Sequence, residues 1–288
     1  MLLTKLVIKS NSMCELFAVS SKVPTNVSFS LDEFSKHGGK TAHHKDGWGL
    51  AFYDGSYAQV FREEKPAANS EWMNFLRNHQ HESNCVISHI RYATQGKVAL
   101  KNTQPYSREL GGQRHVFCHN GNLSNFNVKA HLTDYKPIGD SDSELAFCYL
   151  LSKLKKLWHG NKPTLKDRVK VIQSVFDFFS TLGPANFLYS DGDYLYAYAN
   201  KRTQKNGEIK PPGMFYLLRE CHCTPDKSQL AGVMIKEVDK AVAIQQKLVI
   251  FSSVPLSKEH WRPFVENQLI ITKQGRIVRN HHHQSKDI

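Results

Sequence analysis

The chain has no long hydrophobic run. None of its apolar stretches approaches the ~20 residues that a membrane-spanning helix needs, so no membrane partner is expected. Residues 2–8 are apolar but few, are broken by Lys5, and lead to no small-residue cleavage site, which argues against a secretory signal. Six cysteines (14, 85, 118, 148, 221 and 223) lack the spacing of a disulfide framework. In a chain of this length that points to a reducing, cytoplasmic compartment. Cys221-His222-Cys223 has no second ligand pair at zinc-site spacing, so no metal is expected there. Cys85, Cys118 and Cys148 sit among apolar neighbours and read as small buried hydrophobes. No internal repeat and no Pro/Gly/Ser linker divides the chain. The formal charge of +12 is spread along the length, with no basic run interleaved with aromatics. It reads as a solvated basic surface, and no nucleic-acid partner is expected.

What is present is enough for a substantial core: 288 residues, 40% hydrophobic and 11% aromatic, in the range of a globular protein rather than a disordered one. Residues 14–20 read as a strand, and 29–36 as a short helix capped by Ser28 or Ser30. Asp54-Gly55 between 48–53 and 57–62 signals a hairpin. Residues 71–79 read as a helix. A strand over 85–92 delivers Arg91, and a short strand over 116–118 leads into a His119-Asn120-Gly121 turn. Apolar residues at helical spacing mark 143–157 and 165–182, the second ended by Gly183-Pro184. Strands follow at 187–189, 194–198, 214–219, 248–252, 269–271 and 277–278. Many strands joined as hairpins, with two or three good helices, indicate an α+β protein of mainly antiparallel sheets with helices outside.

Four blocks carry chemistry. Cys14 follows Met13 directly. Were Met13 removed, thiol and α-amine would share one residue, and the amine, with a reference pKa of about 7.7–8.0, could take the thiol proton. No histidine base would then be needed. The plain alternative is a buried cysteine in a strand. Residues 1–13 would be a misassigned start, with translation beginning at Met13, or a leader or propeptide removed by self-cleavage. Arg91 offers a planar, bidentate partner for a carboxylate, and Thr94, three residues on, can support the same group; otherwise Arg91 is a surface arginine. Asn120 and Gly121 can aim a side-chain amide and a backbone N–H at one oxyanion, though Asn-Gly is also an ordinary turn. Asp140-Ser141-Asp142 precedes a helix, so an aspartate there is either a cap or the partner of an ammonium group.

This set, in this order, resembles the class II glutamine amidotransferases, a branch of the N-terminal-nucleophile hydrolases. The matching residues are Cys14, His89–Thr94, Asn120-Gly121 and Asp142, with Lys45-Asp46-Gly47-Trp48-Gly49 similar to an early glycine-rich segment of the family. Residues 186–192 and 252–256 are similar to its stand-alone branch, so the likeness runs from Met13 to about Val278. The resemblance selects Asp142 over Asp140. It implies a four-layer αββα sandwich as one domain over 14–280, with a polar tail at 281–288. Gln95 and Gln104 depart from the pattern, standing where members often carry histidine; Gln104 bears on the finer substrate contacts.

The function implied is hydrolysis of the side-chain amide of glutamine or a γ-glutamyl compound through a γ-glutamyl thioester, releasing glutamate. Cys14, Asn120 and Gly121 would be catalytic, and Arg91, Thr94 and Asp142 would bind substrate, with no metal or organic cofactor. Two alternatives stay open. One is a glutaminase subunit that delivers ammonia to a separate synthase. The other is a non-catalytic γ-glutamyl or amino-acid binding protein.

Overall fold

Strand after strand carries apolar residues on both faces, which only a sheet covered on both sides can bury. The computed structural model describes residues 14–26, 34–39, 46–79, 81–92, 97–127, 132, 134–158, 161–204, 206–223, 229–230, 233–234 and 244–282. Its first half holds β1 (Glu15–Asn26), β2 (Trp48–Asp54), β3 (Tyr57–Glu63), α1 (Glu71–Asn78), β4 (Glu82–Ile90), β5 (Tyr106–Leu110), β6 (Gln113–Gly121) and α2 (Asp142–Leu154). The second half holds α3 (Leu165–Ser180), β7 (Ala185–Ser190), β8 (Leu195–Ala199) and the short pair β9 (Arg202–Thr203) and β10 (Ile209–Lys210). Then come β11 (Phe215–Cys223), β12 (Gln229–Leu230), β13 (Val233–Met234), β14 (Ile244–Ser252), β15 (Arg262–Pro263), β16 (Gln268–Lys273) and β17 (Arg276–His282).

One sheet runs β15-β11-β14-β1-β4-β2-β3, with β12 and β13 attached beside β1. The other runs β17-β16-β8-β7-β6-β5. Neighbouring strands in both are antiparallel. Alternation then sorts the side chains into layers. In β1, Leu16 and Ala18 join Val116, Cys118, Leu188 and Ala197 of the other sheet between the two sheets. Phe17 and Val19 face outward, where they pack with Met73 and Leu76 of α1. On the other side, Phe117, Phe187, Tyr189 and Tyr198 turn outward against Phe147 and Leu150 of α2 and Phe176 of α3. Helix, sheet, sheet and helix form four layers, the αββα sandwich expected.

Element boundaries moved in places, for physical reasons. β6 runs to Gly121 because Asn120 and Gly121 pair with Asn186 and Ala185 of β7, so Asn120-Gly121 is strand rather than the tight turn expected. A hairpin not foreseen joins β5 and β6 through Gly111-Gly112, both at positive φ (63° and 76°), as a two-glycine turn allows. The helix expected over 29–36 lies partly outside the described residues; 34–37 are helical. β17 continues to His282, and His281 pairs with Leu269, so strand pairing enters the segment expected as a tail. Residues 1–13, Thr94 and Gln95 lie outside the described residues, as do the side chains of Cys221 and Cys223.

The layer under α3 holds a buried polar network. Arg168 Nη1 donates to Asp191 Oδ2 at 2.7 Å, and Tyr196 Oη donates to the same carboxylate at 2.8 Å. Nearby, His115 Nε2 lies 3.1 Å from the Leu110 carbonyl and Nδ1 lies 2.6 Å from Tyr189 Oη. A neutral imidazole satisfies both, donating from Nε2 and accepting at Nδ1. Burial pushes His115 down to about 4, against the pull of the Asp191 charge. A histidine whose folded pKa is depressed stabilises the fold fully above its unfolded value, about 6.5. That stability is lost as pH falls from there toward 4. Melting temperature is therefore expected to drop over this window, and more shallowly in His115→Gln; identical slopes would remove His115 as a source.

Candidate active site

Of the proposed site residues, Cys14, Arg91, Asn120, Gly121 and Asp142 come from strand ends or a helix start at one end of the sandwich. Cys14 immediately precedes β1, whose Glu15 pairs with Ile90 of β4. Arg91 is the residue after β4, and its N–H donates to the Gly47 carbonyl at 2.8 Å while Asp46 N donates to its carbonyl at 3.3 Å. This tie to the loop before β2 fixes where the Arg91 side chain begins. That side chain is buried, 4% exposed, with Nη1 3.4 Å from the Asp46 carbonyl oxygen.

The Cys14 thiol is held by the next residue along. Its Sγ lies 3.2 Å from both the Tyr92 carbonyl, which it can donate to, and the Tyr92 N–H, which donates to it. Burial pushes the thiol up to about 11, with the Tyr92 hydrogen bonding and the Arg91 charge pulling down and the Asp142 charge pushing up. Arg91 immediately precedes the residue whose backbone holds the sulfur. Near neutral pH the thiol form is therefore favoured over the thiolate. The sulfur needs a local base to become a nucleophile.

Asp142 is the first residue of α2, and the cap is its neighbour. Ser141 Oγ accepts the Glu144 N–H at 3.2 Å, so the capping reading of Asp142 is corrected. Freed from that job, the Asp142 carboxylate accepts Leu123 N–H and Ser143 N–H, each at 2.8 Å. Asp140 instead pairs with Lys101 at 2.7 Å in solvent. Glu144 is buried and takes Arg108 at 2.5 Å. A cavity of about 610 Å³ opens beside Asp142, lined by Leu123, Phe126, Gly139 and Ser141 among others.

Asn120 and Gly121 end β6 beside this group. Asn120 is fully buried, and its carbonyl accepts from Asn186 Nδ2 at 2.9 Å. Its side-chain Nδ2 lies 3.1 Å from Ser253 Oγ. Ser253 in turn accepts the Leu16 N–H at 3.0 Å, two residues from the thiol. The oxyanion candidates and the nucleophile candidate are therefore joined through one hydroxyl. Gln104 brackets the backbone of His119, accepting its N–H at 2.6 Å and donating to its carbonyl at 3.1 Å. It acts as a surrogate strand partner, not as a free substrate contact. His119 itself lies 3.0 Å from Ser143 Oγ, and burial lowers its pKa.

Cys14, Arg91, Asn120, Gly121 and Asp142 are brought to one end of the molecule. Asn186, Gln104 and Ser253 have supporting contacts that sequence reasoning did not assign. The signal available was chemical: a polar side chain inside an apolar strand, as in Ala-Asn-Phe-Leu, has to find a partner. Among the described residues no group of three or more His, Cys, Asp or Glu side chains is placed to hold a metal. Among them, too, no helix is long and apolar enough to cross a membrane.

The family model for class II glutamine amidotransferases matches residues 13–287. A Haemophilus influenzae protein named "Putative glutamine amidotransferase" is 38% identical over 269 residues, 92% of this chain and 86% of its own. The Escherichia coli "Putative glutamine amidotransferase YafJ" is 38% identical over 206 residues, 72% of this chain and 80% of its own. Among solved structures, a "predicted glutamine amidotransferase" of Pseudomonas aeruginosa superposes with a TM-score of 0.66 at 28% identity, covering 92% of this chain and 100% of its own. A match running through both sheets, the helices and the Cys14 end of the sandwich places this chain in the class II glutamine amidotransferases.

Proposed function

We propose that the chain hydrolyses the side-chain amide of glutamine or a γ-glutamyl compound, with Cys14 as nucleophile. The observation that carries this reading is the meeting of strand and helix ends at the thiol: Arg91 precedes Tyr92, whose backbone holds Cys14 Sγ at 3.2 Å, and Asp142 accepts the N–H of Leu123, two residues past Gly121, at 2.8 Å. A cation and an anion flanking a nucleophile complement the carboxylate and ammonium of an amino acid whose side chain lies on the sulfur. Arg91 holds the α-carboxylate and Asp142 the α-ammonium, while Thr94 supports the carboxylate.

With Met13 attached, the Cys14 nitrogen is an amide and cannot accept a proton. Removal of residues 1–13 turns it into an amine of reference pKa about 8, matched to work near neutral pH. Sulfur then bonds to the carbonyl carbon of the side-chain amide, whose C=O opens to the oxyanion, as the thiol proton passes to the amine. Asn120 and the Gly121 N–H hold the oxyanion, and the amine returns the proton to the departing nitrogen. Water cleaves the resulting thioester, giving glutamate and the free thiol.

The test is intact mass before and after exposure to 6-diazo-5-oxonorleucine. A chain beginning at Cys14 that gains one adduct on that residue supports the reading; an adduct on another residue, or none in a chain beginning at Cys14, overturns it. Arg91→Lys keeps the charge but loses the planar fork. It is expected to raise KM about tenfold or more with kcat little changed, as loss of uniform binding does. An unchanged KM removes Arg91 from the carboxylate. Stimulation of weak glutamate release by a separate synthase would assign the ammonia to that partner instead of water.

A further inference from the structure

The contact between Asn120 and Ser253 has a direction, and the direction decides what the site presents to substrate. In the structure Asn120 Nδ2 donates to Ser253 Oγ. Asn120 Oδ1 is then buried with no partner. Ser253 Oγ meanwhile accepts twice, from Asn120 and from Leu16 N–H, and its own proton has no acceptor among these contacts. Two ill-served groups in one buried pair are unusual, since polar groups at this depth are normally matched.

Half a turn of the amide gives the Ser253 proton an acceptor and moves the NH2 to the position that no protein group partners, where it is left to serve a ligand. The Leu16 N–H is a backbone donor and cannot reverse. Ser253 Oγ accepts there, and its rotatable hydroxyl proton is available to donate toward Asn120. An oxygen on that side receives it, and the amide nitrogen takes the other position, where its two protons point away from Ser253. The nitrogen and oxygen of an amide are told apart by such partners. Ser253 N also donates to the Leu16 carbonyl at 3.0 Å, so Ser253 grips both polar groups of the residue two places from the thiol.

We propose that Ser253 is a positioning residue that fixes the polarity of the Asn120 amide, so that its NH2 rather than its carbonyl faces the developing oxyanion. This rests on the role given to Asn120 above. The hydroxyl transmits one fixed backbone donor, Leu16 N–H, into one fixed side-chain orientation 133 positions away. Without it, the amide is free to present its oxygen, which would repel the oxyanion instead of binding it.

Ser253→Ala is expected to lower kcat for glutamine about 100-fold with KM nearly unchanged, the size of losing one oxyanion donor. Ser253→Thr, which keeps the hydroxyl, is expected to recover most of that loss. Alkylation of Cys14 by iodoacetamide forms no oxyanion and should proceed at the wild-type rate in both variants. In an Asn120→Ala background, Ser253→Ala should cost nothing further. Wild-type kcat in Ser253→Ala, or a full additional loss in the double variant, overturns the proposal. If Asn120→Ala alone leaves turnover intact, the oxyanion role of Asn120 fails first. Neutron diffraction of the full chain separates the two questions. Deuterons on the side of Asn120 facing away from Ser253 support the polarity argued here, and deuterons facing Ser253 overturn it whatever the kinetics show.

Discussion

Cys14→Ala is expected to abolish turnover, by at least about 10⁴-fold, while leaving the fold intact. The first half follows from what the thiol alone can supply. Among the described residues no neighbouring group offers a second nucleophile of comparable strength: Arg91 is a cation, Asn120 an amide, and Cys118 is fully buried between the sheets, where burial drives its pKa well up. The second half follows from where Cys14 sits. It precedes β1 rather than packing inside it, it is half-buried, and its described hydrogen bonds run only to the backbone of Tyr92. Alanine keeps the strand entry and removes one sulfur, so the melting temperature should move by no more than a few degrees. Glutamate release and a thermal melt on the same preparation check both halves. Turnover retained in the variant would sink the mechanism; turnover lost together with the fold would leave Cys14 as a structural residue.

That asymmetry, chemistry concentrated at a strand end and packing spread over the strands, also decides what could be read from sequence. The four-layer order came from the resemblance to the family, since side-chain periodicity alone does not choose it; in the structure alternation then sorts the residues into those layers. Leu16 and Ala18 are small enough to lie between two sheets, while Phe17 and Val19 fit under a helix. The same holds for Leu188 between Phe187 and Tyr189. Cys14, Arg91, Asn120 and Asp142 could be picked out by residue type and order, and the structure gathers them at one end; their roles rest on the reading proposed above. Ser253 and Asn186 could not be assigned a role that way. Their partners lie 133 and 66 positions from them along the chain, and no local pattern encodes a pairing made by sheet register. The cap of α2 failed for the opposite reason. In Asp140-Ser141-Asp142 all three residues are good caps, and only backbone geometry selects Ser141. The end of β6 was misjudged because Asn-Gly is a strong turn signal locally, and long-range pairing with β7 overrode it.

The override at Gly121 leads to the second large effect. Gly121→Ala is expected to lower kcat/KM for glutamine at least about 100-fold and to lower the melting temperature as well. The reason is space more than backbone freedom. A Cβ at this position would collide with the Pro184 carbonyl oxygen just before β7, and would come within 2.7 Å of the His119 ring nitrogen. Pro184 O is not a movable side-chain tip; it accepts the Asn122 N–H at 3.1 Å and so closes the end of the β6–β7 pair. Accommodating the methyl group therefore pushes the two strands apart at the point where Asn120 and Gly121 are displayed. A displacement near 1 Å is enough to cost about 100-fold where reacting atoms must be aligned. The comparison that isolates this cause is Gly55→Ala, at the β2–β3 turn, where a Cβ meets nothing within 4 Å. That variant should pay only the strain of its positive φ of 58° and keep its turnover. Equal turnover in Gly121→Ala and wild type would mean that the strand end can yield without moving the oxyanion donors, and the role of the Gly121 N–H would have to be abandoned.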